Sequence, residues 1–307
     1  MSLLVVGTVA FDQIETPFGM TDKILGGAAT FIGMAASLLD VETDIVSVIG
    51  GDFPQEYLDL MASKNIGLEG IQKIENGKTF FWSGKYRNDM NTRDTLVTEL
   101  NVLENFEPKV PEKWKNPEVL MLGNLHPLVQ MAVVDQLEVR PKLVVLDTMN
   151  FWMDHTWDDL MEVLKKVDVL TINDEEARQL SKEYSLVKAA KKILSMGPTT
   201  LIIKKGEHGA LLFNENNVFF APALPLDDVF DPTGAGDTFA GGFSGFLAKT
   251  RNYSFENMKR AIIYGSALAS FTVEKFGTER LAQLTKEELE DRLEAFRDLT
   301  SFDIELG

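Results

Sequence analysis

Residues 231–242 have the sequence Asp231-Pro-Thr-Gly-Ala-Gly-Asp237-Thr-Phe-Ala-Gly-Gly242 and open an apolar segment that runs to about Ala248. Gly234 and Gly236 permit a tight turn in which successive backbone N–H groups point the same way and form an anion-binding nest. The start of the helix that follows adds unpaired N–H donors and a partial positive charge. The stretch therefore predicts a phosphate-binding turn at a helix N-terminus.

Asp237 follows this turn directly, and its position has two interpretations. The partial positive charge of a helix start stabilises a carboxylate, so Asp237 could be a structural helix-start acid. A carboxylate beside bound phosphate could instead accept the proton of an attacking alcohol, which phosphoryl transfer requires. An ordinary Gly-rich turn between a strand and a helix is the remaining alternative. The stretch is not a P-loop, and Phe239 stands where a dinucleotide fingerprint needs its third glycine.

The composition limits the classes of protein to consider. The chain has 307 residues, of which 45% are apolar and 25% charged, as is ordinary for a soluble globular protein with one large α/β core. It has no cysteine, which excludes disulfides and zinc–thiolate sites, and its 3 histidines do not favour a His-rich metal site. The net charge of −17 argues against nucleic-acid and anionic-membrane partners.

The N-terminal apolar residues do not indicate a membrane segment. Residues 3–6 predict a first strand rather than a signal peptide, because no basic region precedes them. No apolar run approaches the about 20 residues that a membrane-spanning helix needs. We therefore expect a cytoplasmic protein.

Short apolar segments alternate with helix-like segments along the chain, which predicts a mainly parallel sheet with helices on both faces. The predicted strands are 3–6, 45–49, 119–122, 143–146, 167–172, 201–204 and 210–213. The predicted helices lie near 27–39, 54–64, 127–138, 157–166, 186–195, 236–249 and 255–273. The polar motifs follow predicted strand ends, where ligands bind in sheets of this kind.

The segment from about 66 to 108 interrupts this alternation. Residues 79–86 and 93–100 alternate in part, and the turn-like residues 88–91 between them predict a hairpin. Together with residues near 12–24, the hairpin would form a small projecting sheet. On these residues alone an ordinary edge hairpin and a lid over a substrate are both open. Exposed aromatic side chains there could also support a homodimer.

Residues 231–242 resemble the C-terminal signature of the ribokinase (PfkB) family of carbohydrate and nucleoside kinases. Other landmarks of that family occur in its order, namely Gly26-Gly27 before an Ala-rich helix, Asn173-Asp-Glu-Glu176 and Lys205-Gly-Glu-His-Gly209. The resemblance covers nearly the whole chain and is greatest to bacterial nucleoside kinases. It implies a three-layer α/β/α domain over 1–307 with a β-sheet lid formed by about 12–24 and 66–108.

The resemblance implies the roles of the turn and of the residues around it. Asp237 would accept the proton of the acceptor hydroxyl as it attacks the γ-phosphorus of ATP. Gly234, Ala235 and Gly236 would supply the backbone donors of an anion hole. Asp231 and Thr233 lie where some members of the family bind a monovalent cation.

The resemblance also implies the nucleotide and metal sites. The expected ATP-binding residues are Asn173, Lys205, Gly206, Gly209, Thr233, Gly234 and Gly236. Asn173 and Glu176 would hold Mg²⁺ through water, and both offer the oxygen ligands that this ion prefers. The same pair also fits the N-cap and N3 positions of a capping box, and both interpretations can be true. Lys204 and Lys205 form a local positive pair, although surface lysines are more often simply solvated.

The acceptor site would lie near the first strand. In the family, an aspartate matching Asp12 binds two sugar hydroxyls, for which a carboxylate is a good acceptor; a turn residue is the alternative. Gly26 and Gly27 would let the backbone approach the same sugar, and Asn124 would line the cleft. Phe31 stands where many sugar kinases have asparagine. Its ring could stack on a nucleobase, or it could belong to the core.

The sequence thus predicts a kinase that transfers the γ-phosphoryl group of ATP to the primary hydroxyl of a nucleoside. A free sugar such as ribose or fructose is the alternative acceptor. A catalytically inactive nucleotide- or sugar-binding protein is a second alternative, which Asp237 disfavours because binding alone needs no base. A nicotinamide-dependent dehydrogenase is weakened by the missing third glycine. ATP and Mg²⁺ are the expected co-substrate and metal, and the need for a monovalent cation is open.

Overall fold

Apolar side chains on both faces of the first strand place it inside the large sheet, between two neighbouring strands. Leu3 and Val5 point into one hydrophobic core and Leu4 and Val6 into another, and none of the four is more than 1% exposed. The computed structural model describes residues 2–301. Its strands are β1 (Ser2–Val6), β2 (Ala10–Thr16), β3 (Gly19–Met20), β4 (Ile24–Gly26), β5 (Glu42–Gly50), β6 (Ile66–Ile74), β7 (Phe81–Tyr86), β8 (Arg93–Glu99), β9 (Val119–Leu122), β10 (Leu143–Asp147), β11 (Val169–Asn173), β12 (Thr200–Lys204), β13 (Ala210–Asn214) and β14 (Val218–Ala221).

The large sheet has the strand order β14-β13-β12-β11-β10-β9-β1-β5-β6. All neighbours pair in parallel except β13, which is antiparallel to both β12 and β14. The helices are α1 (Ala28–Ser37), α2 (Gln55–Ser63), α3 (Pro127–Val134), α4 (Asn150–His155), α5 (Trp157–Leu164), α6 (Asp174–Ser181), α7 (Leu186–Leu194), α8 (Ala235–Thr250), α9 (Phe255–Thr272), α10 (Glu279–Gln283) and α11 (Lys286–Thr300). This confirms the predicted mainly parallel sheet.

The helices form a layer on each face of the large sheet. Side chains of α1, α8 and α9 pack in one core, and side chains of α3, α5, α6 and α7 pack in the other. The prediction of three layers is therefore confirmed. Within residues 2–301, no helix is long and apolar enough to cross a membrane.

Glycines set the position of α8, whose start carries the predicted phosphate-binding turn. Gly241 faces the backbone of Ile32, and a Cβ added to it would overlap that backbone. A Cβ on Gly245 would come within 3.1 Å of Ala36. Helices α1 and α8 therefore pack at close range, which brings the N-terminus of α8 to the C-terminal edge of the large sheet.

A second, smaller sheet has the strand order β3-β2-β7-β8, and β4 pairs with β2. The predicted hairpin is present as β7 and β8, joined by the turn at 87–92. The predicted bounds of the lid were wrong for residues 66–74, which form β6 beside β5 in the large sheet. The physical reason is that the buried Ile66 packs in the main core with Met61.

Candidate active site

The glycine turn at the start of α8 has two free backbone donors. Gly234 adopts a left-handed conformation with φ of 76°, and α8 begins at Ala235. The N–H of Ala235 donates to the carbonyl of Pro232 at 3.2 Å. The N–H groups of Gly234 and Gly236 have no acceptor within residues 2–301. The turn therefore offers two free donors for the predicted anion hole, and in this conformation the N–H of Ala235 is not available as a third.

Phe31 lies beneath this turn and not in an acceptor pocket. Its side chain is 1% exposed, and a Cβ added to Gly234 would lie 2.5 Å from three atoms of its ring. The ring face is thus covered by Gly234 and cannot stack on a nucleobase in this conformation. The predicted stacking role of Phe31 is contradicted, because the residue belongs to the core and supports the turn from below.

Asp231 and Thr233 anchor the beginning of the turn. The buried carboxylate of Asp231 accepts the N–H of Thr233 at 2.9 Å and that of Gly277 at 2.8 Å. Burial raises the pKa of Asp231. The hydroxyl of Thr233 donates to the hydroxyl oxygen of Tyr86 at 3.2 Å, so the turn is also attached to the small sheet.

Asp237 lies in the first turn of α8, opposite the ends of β10 and β12. Those strands end in Asp147 and Lys204, whose Oδ2 and Nζ atoms are 3.2 Å apart. Burial raises the pKa of Asp237 to about 7, and the charge of Asp147 adds to this shift. Lys204 and Arg93 act in the opposite direction. A carboxyl group with such a pKa can accept a proton near neutral pH.

Lys204 stays charged in this environment. Burial opposes its charge, but the carboxylates of Asp147, Glu176 and Asp237 outweigh burial and raise its pKa. Its ammonium group also lies beside the turn, because a Cβ added to Gly236 would be 3.1 Å from its Nζ atom. The sequence indicated Lys204 only as a charged neighbour of Lys205, and it did not indicate that Asp147 lies beside it.

Asn173 and Glu176 form a capping box at the start of α6. The side chain of Asn173 accepts the N–H of Glu176 at 2.8 Å, and the Oε2 atom of Glu176 accepts the N–H of Asn173 at 2.7 Å. Burial, opposed by the charge of Lys204 and assisted by that of Asp147, raises the pKa of Glu176 to about 7. The second oxygen of Glu176 is not used by the box. The free oxygen of Glu176 suits an Mg²⁺ ion held through water, since the described residues contain no group of three acidic or histidine side chains that could bind a metal directly.

The predicted nucleotide loop, 205–209, follows β12 at the same edge of the sheet. The N–H of Lys205 donates to the carbonyl of Gly209 at 2.8 Å, which closes the loop. Gly206 is exposed, and a Cβ added to it would lie 2.9 Å from the side-chain oxygen of Asn91. Asn91 belongs to the turn between β7 and β8. The tip of the small sheet thus reaches the predicted nucleotide loop.

Asp12 lies between the turn and the small sheet. Asp12 is 6% exposed, and its pKa is raised to about 7. Burial is the main cause and the charges of Asp231 and Asp237 add to it, whereas the hydrogen bond from the N–H of Gly27 acts in the opposite direction. Gly26 leaves space for its carboxylate, which a Cβ at that position would overlap. Gly27 has φ of 93° and faces the backbone of Thr8. The structure therefore brings Asp12, Gly26 and Gly27 together, as expected.

Asn124 follows β9, but its amide group is already engaged. The Oδ1 atom accepts the indole N–H of Trp152 at 2.8 Å, and the Nδ2 atom donates to the sulfur of Met149 at 3.0 Å. The structure thus connects Asn124 to α4, and its predicted place in the acceptor cleft stays a prediction.

Trp82 and Arg93 are two further site residues. The sequence indicated Trp82 only as one of the aromatic residues of the predicted lid, and it did not indicate Arg93. Trp82 pairs with Asp12 in the parallel register of β2 and β7, so their side chains share a face of the small sheet. Gly84 leaves room for the Trp82 indole, and the Arg93 guanidinium lies 5.0 Å from that ring. The charge of Arg93 acts on Asp12, Glu176 and Asp237. Only the pairing of β2 with β7, which the sequence does not give, brings Trp82 beside Asp12.

Free donors at a helix start, beside a carboxylate that titrates near neutral pH, suit phosphoryl transfer to an alcohol. Comparison with known proteins confirms this class of enzyme, a phosphotransferase with an alcohol group as acceptor. Residues 4–284 match the pfkB family of carbohydrate kinases, and the chain belongs to that family.

Several relatives are similar over most of the chain. A cytidine kinase from Thermococcus kodakarensis is 30% identical over 249 residues, which cover 79% of this chain and 87% of that protein. A nucleoside kinase from Methanothermobacter thermautotrophicus is 25% identical and covers 90% of this chain and 91% of its own length. The structure of a Burkholderia thailandensis nucleoside kinase in complex with inosine has a TM-score of 0.77 at 20% identity, over 95% of this chain and 97% of that one. The ribokinase-like fold is thus confirmed.

Proposed function

We propose that this enzyme transfers the γ-phosphoryl group of ATP to the primary hydroxyl of a nucleoside. The observation that carries the acceptor assignment is the pairing of Asp12 with Trp82 on one face of the small sheet. A carboxylate can accept both hydroxyls of a ribosyl group, and an indole beside it can stack on the attached base. The similar proteins named as cytidine and nucleoside kinases support the same assignment.

The residues around the turn have distinct roles in this proposal. Asp12 holds the sugar hydroxyls, and Asp237 accepts the proton of the attacking hydroxyl. The free N–H groups of Gly234 and Gly236 stabilise charge on the phosphoryl group during transfer. Lys205 and the loop that follows it bind ATP. The small sheet serves as the lid of a single domain, since Tyr86 contacts Thr233 across the cleft.

We expect nucleosides to be phosphorylated with a higher kcat/KM than ribose or fructose. Stacking of a base on an aromatic side chain is worth about 1–3 kcal/mol, roughly 5- to 150-fold in affinity. Trp82→Leu should therefore weaken nucleosides more than free sugars, as steady-state rates with both classes will measure. Trp157→Leu is the matched control, because Trp157 is a surface residue of α5. A wild-type enzyme that phosphorylates only free sugars would exclude the nucleoside assignment.

We expect activity to need Mg²⁺, held near Glu176. When bound, the ion would neutralise phosphate charge. Glu176→Gln should raise the Mg²⁺ concentration for half-maximal rate several-fold, because it removes a carboxylate charge near the phosphates. Glu288→Gln is the control, since Glu288 has the same N3 position in the capping box of α11. If both variants titrate like the wild type, Glu176 serves only as a cap.

A monovalent cation and a homodimer are further parts of the proposal. Asp231 and Thr233 would hold the cation, and an unchanged rate when K⁺ is replaced by a bulky organic cation would contradict this. The lid would form the dimer contact, because β8 is an exposed edge strand with Leu96 54% and Val97 40% exposed. Sedimentation of the enzyme as a monomer would rule the dimer out. ATP supply favours a cytoplasmic location.

A further inference from the structure

Lys204 occupies an unusual place for a lysine. It is the last residue of β12, its side chain is 18% exposed, and its Nζ atom lies 3.2 Å from Asp147 Oδ2. The same atom lies 3.1 Å from the position that a Cβ on Gly236 would have. A phosphate oxygen that binds the free N–H of Gly236 would therefore come within reach of the ammonium group.

Three polar side chains near the C-terminal ends of β10, β11 and β12 lie on the face of the sheet that packs against α8. Val145, Val169 and Ile202 pack in the core that contains α8. Asp147, Thr171 and Lys204 each stand two residues further along the same three strands, so their side chains share that face. The chain thus directs a polar group from each of three neighbouring strands at the helix start.

Two buried hydroxyl groups beside Asp147 indicate that this polar region serves more than packing. Thr148 is 3% and Thr171 is 1% exposed, and neither hydroxyl has a hydrogen-bond partner within residues 2–301. Unpaired buried polar groups are costly and are uncommon in ordinary cores. They are expected where a polar ligand or its hydration completes the site.

The charges make a local cation necessary. Asp147, Glu176 and Asp237 surround Lys204, and the whole chain has a net charge of −17. The triphosphate of ATP adds further negative charge at this point. Arg93 reaches the region from the small sheet but lowers the pKa of Asp237 less than Lys204 does, and Lys204 lies directly beside the turn.

We propose that Lys204 is a catalytic residue that binds the transferring phosphoryl group, and that Asp147 is the positioning residue that holds its ammonium group in place. In the step, the acceptor oxygen forms a bond to the γ-phosphorus, and the bond from that phosphorus to the bridging oxygen breaks. The proton of the hydroxyl goes to Asp237, and the electron pair of the broken bond stays on ADP. Lys204 keeps all its protons and contributes charge and hydrogen bonds.

Substitution of Lys204 tests this role against a purely structural one. We expect Lys204→Met to lower kcat about 100-fold, the lower range for loss of one donor to a developing charge, with the KM of the acceptor unchanged. ADP affinity, measured by calorimetry, should change less than 3-fold or so, because ADP lacks the γ-phosphoryl group. Lys204→Arg should retain part of the rate. Lys165→Met, which removes an exposed ion pair with Glu162, should behave like the wild type.

The acid limb of the pH profile gives a second readout. Lys204 lowers the pKa of Asp237, whereas Asp147 raises it, so Lys204→Met should move the acid limb of kcat/KM to higher pH. A wild-type kcat together with a lower Tm would overturn the proposal, because it would leave only a structural ion pair. If Lys204→Met does not fold, Asp147→Asn provides the test, because it keeps Lys204 but removes the carboxylate that positions its ammonium group. We expect about 10-fold slower turnover in that variant. A wild-type rate in that variant would likewise overturn the proposal.

The inference rests on the proposed kinase function but not on the identity of the acceptor. If only a free sugar is phosphorylated, the Lys204 variants are measured with that sugar and the proposal stands or falls unchanged. If no acceptor supports turnover, hydrolysis of ATP to ADP in the wild type and the variants provides the rate. Failure of the nucleoside assignment and failure of the Lys204 role are thus distinguishable.

Discussion

Asp237→Asn is expected to lower kcat at least about 100-fold while ATP still binds. The amide keeps the shape of the side chain but cannot accept the proton of the attacking hydroxyl. The free N–H groups of Gly234 and Gly236 remain in the variant, so the phosphate site is retained. Steady-state rates and calorimetric ATP titrations measure the two effects separately. Turnover near that of the wild type would remove Asp237 from the role of base.

The same assignment predicts the pH dependence of the wild type. Burial raises the pKa of Asp237 to about 7, and a base must be deprotonated to act. We therefore expect kcat/KM to rise with pH and to level off above about 7. Asp228→Asn is the matched control, because Asp228 is exposed in the loop that precedes the turn. It should leave both the rate and the profile unchanged.

The sequence predicted those parts of the fold that depend on residues close together in the chain. Short apolar runs located the strands of the large sheet except β6 and β14, because side chains on both faces of those strands are buried in one of two cores. The capping box of Asn173 and Glu176 is present because both partners lie within one turn of chain. Helices α4 and α10 were missed, since segments of 6 and 5 residues are too short to show a helical period, and α6 was indicated only by its capping box.

The parts of the site that sequence could not predict depend on contacts between distant segments. From sequence alone Phe31 could stack on a base or belong to the core, and only the contact of α1 with α8 shows that Gly234 covers its ring. Lys204 is an unremarkable lysine until β10 places Asp147 beside it. Tyr86 has no visible role before the small sheet brings it to Thr233. In each case the sequence shows the chemical character of the side chain, but it does not show which distant residue the side chain contacts.

The clustering of buried carboxylates in the site should lower stability at alkaline pH. Burial raises the folded-state pKa of Asp12 from 3.8 to about 7. A carboxyl group whose pKa is higher in the folded protein binds its proton more tightly there. It therefore contributes to the free energy of unfolding below its unfolded-state pKa, and this contribution is lost as the pH rises through the folded-state pKa. The wild type should therefore lose stability between pH about 4 and about 7, where Asp12 must ionise against burial and the charges of Asp231 and Asp237.

Asp12→Asn should therefore stabilise the fold and impair the enzyme. The amide cannot ionise, so the variant avoids the cost of a buried charge. Its free energy of unfolding, relative to that of the wild type, should increase by about 2 kcal/mol between pH about 5.5 and about 8.5. It should also lower kcat/KM for the acceptor at least about 10-fold, since charge-assisted bonds to the hydroxyls weaken. Unfolding in denaturant at both pH values, together with acceptor kinetics, measures the two effects.

Asp44 separates the stability effect from the functional one. Burial also raises its pKa, to about 6, with a further contribution from Glu42, and it lies near the start of β5, at the opposite edge of the sheet from Asp12 and Asp237. Asp44→Asn should therefore stabilise the protein at alkaline pH and leave turnover unchanged. If Asp12→Asn gains no stability between the two pH values, the carboxylate of Asp12 is not strained in the folded enzyme. If it gains stability and keeps full activity, Asp12 does not hold the acceptor.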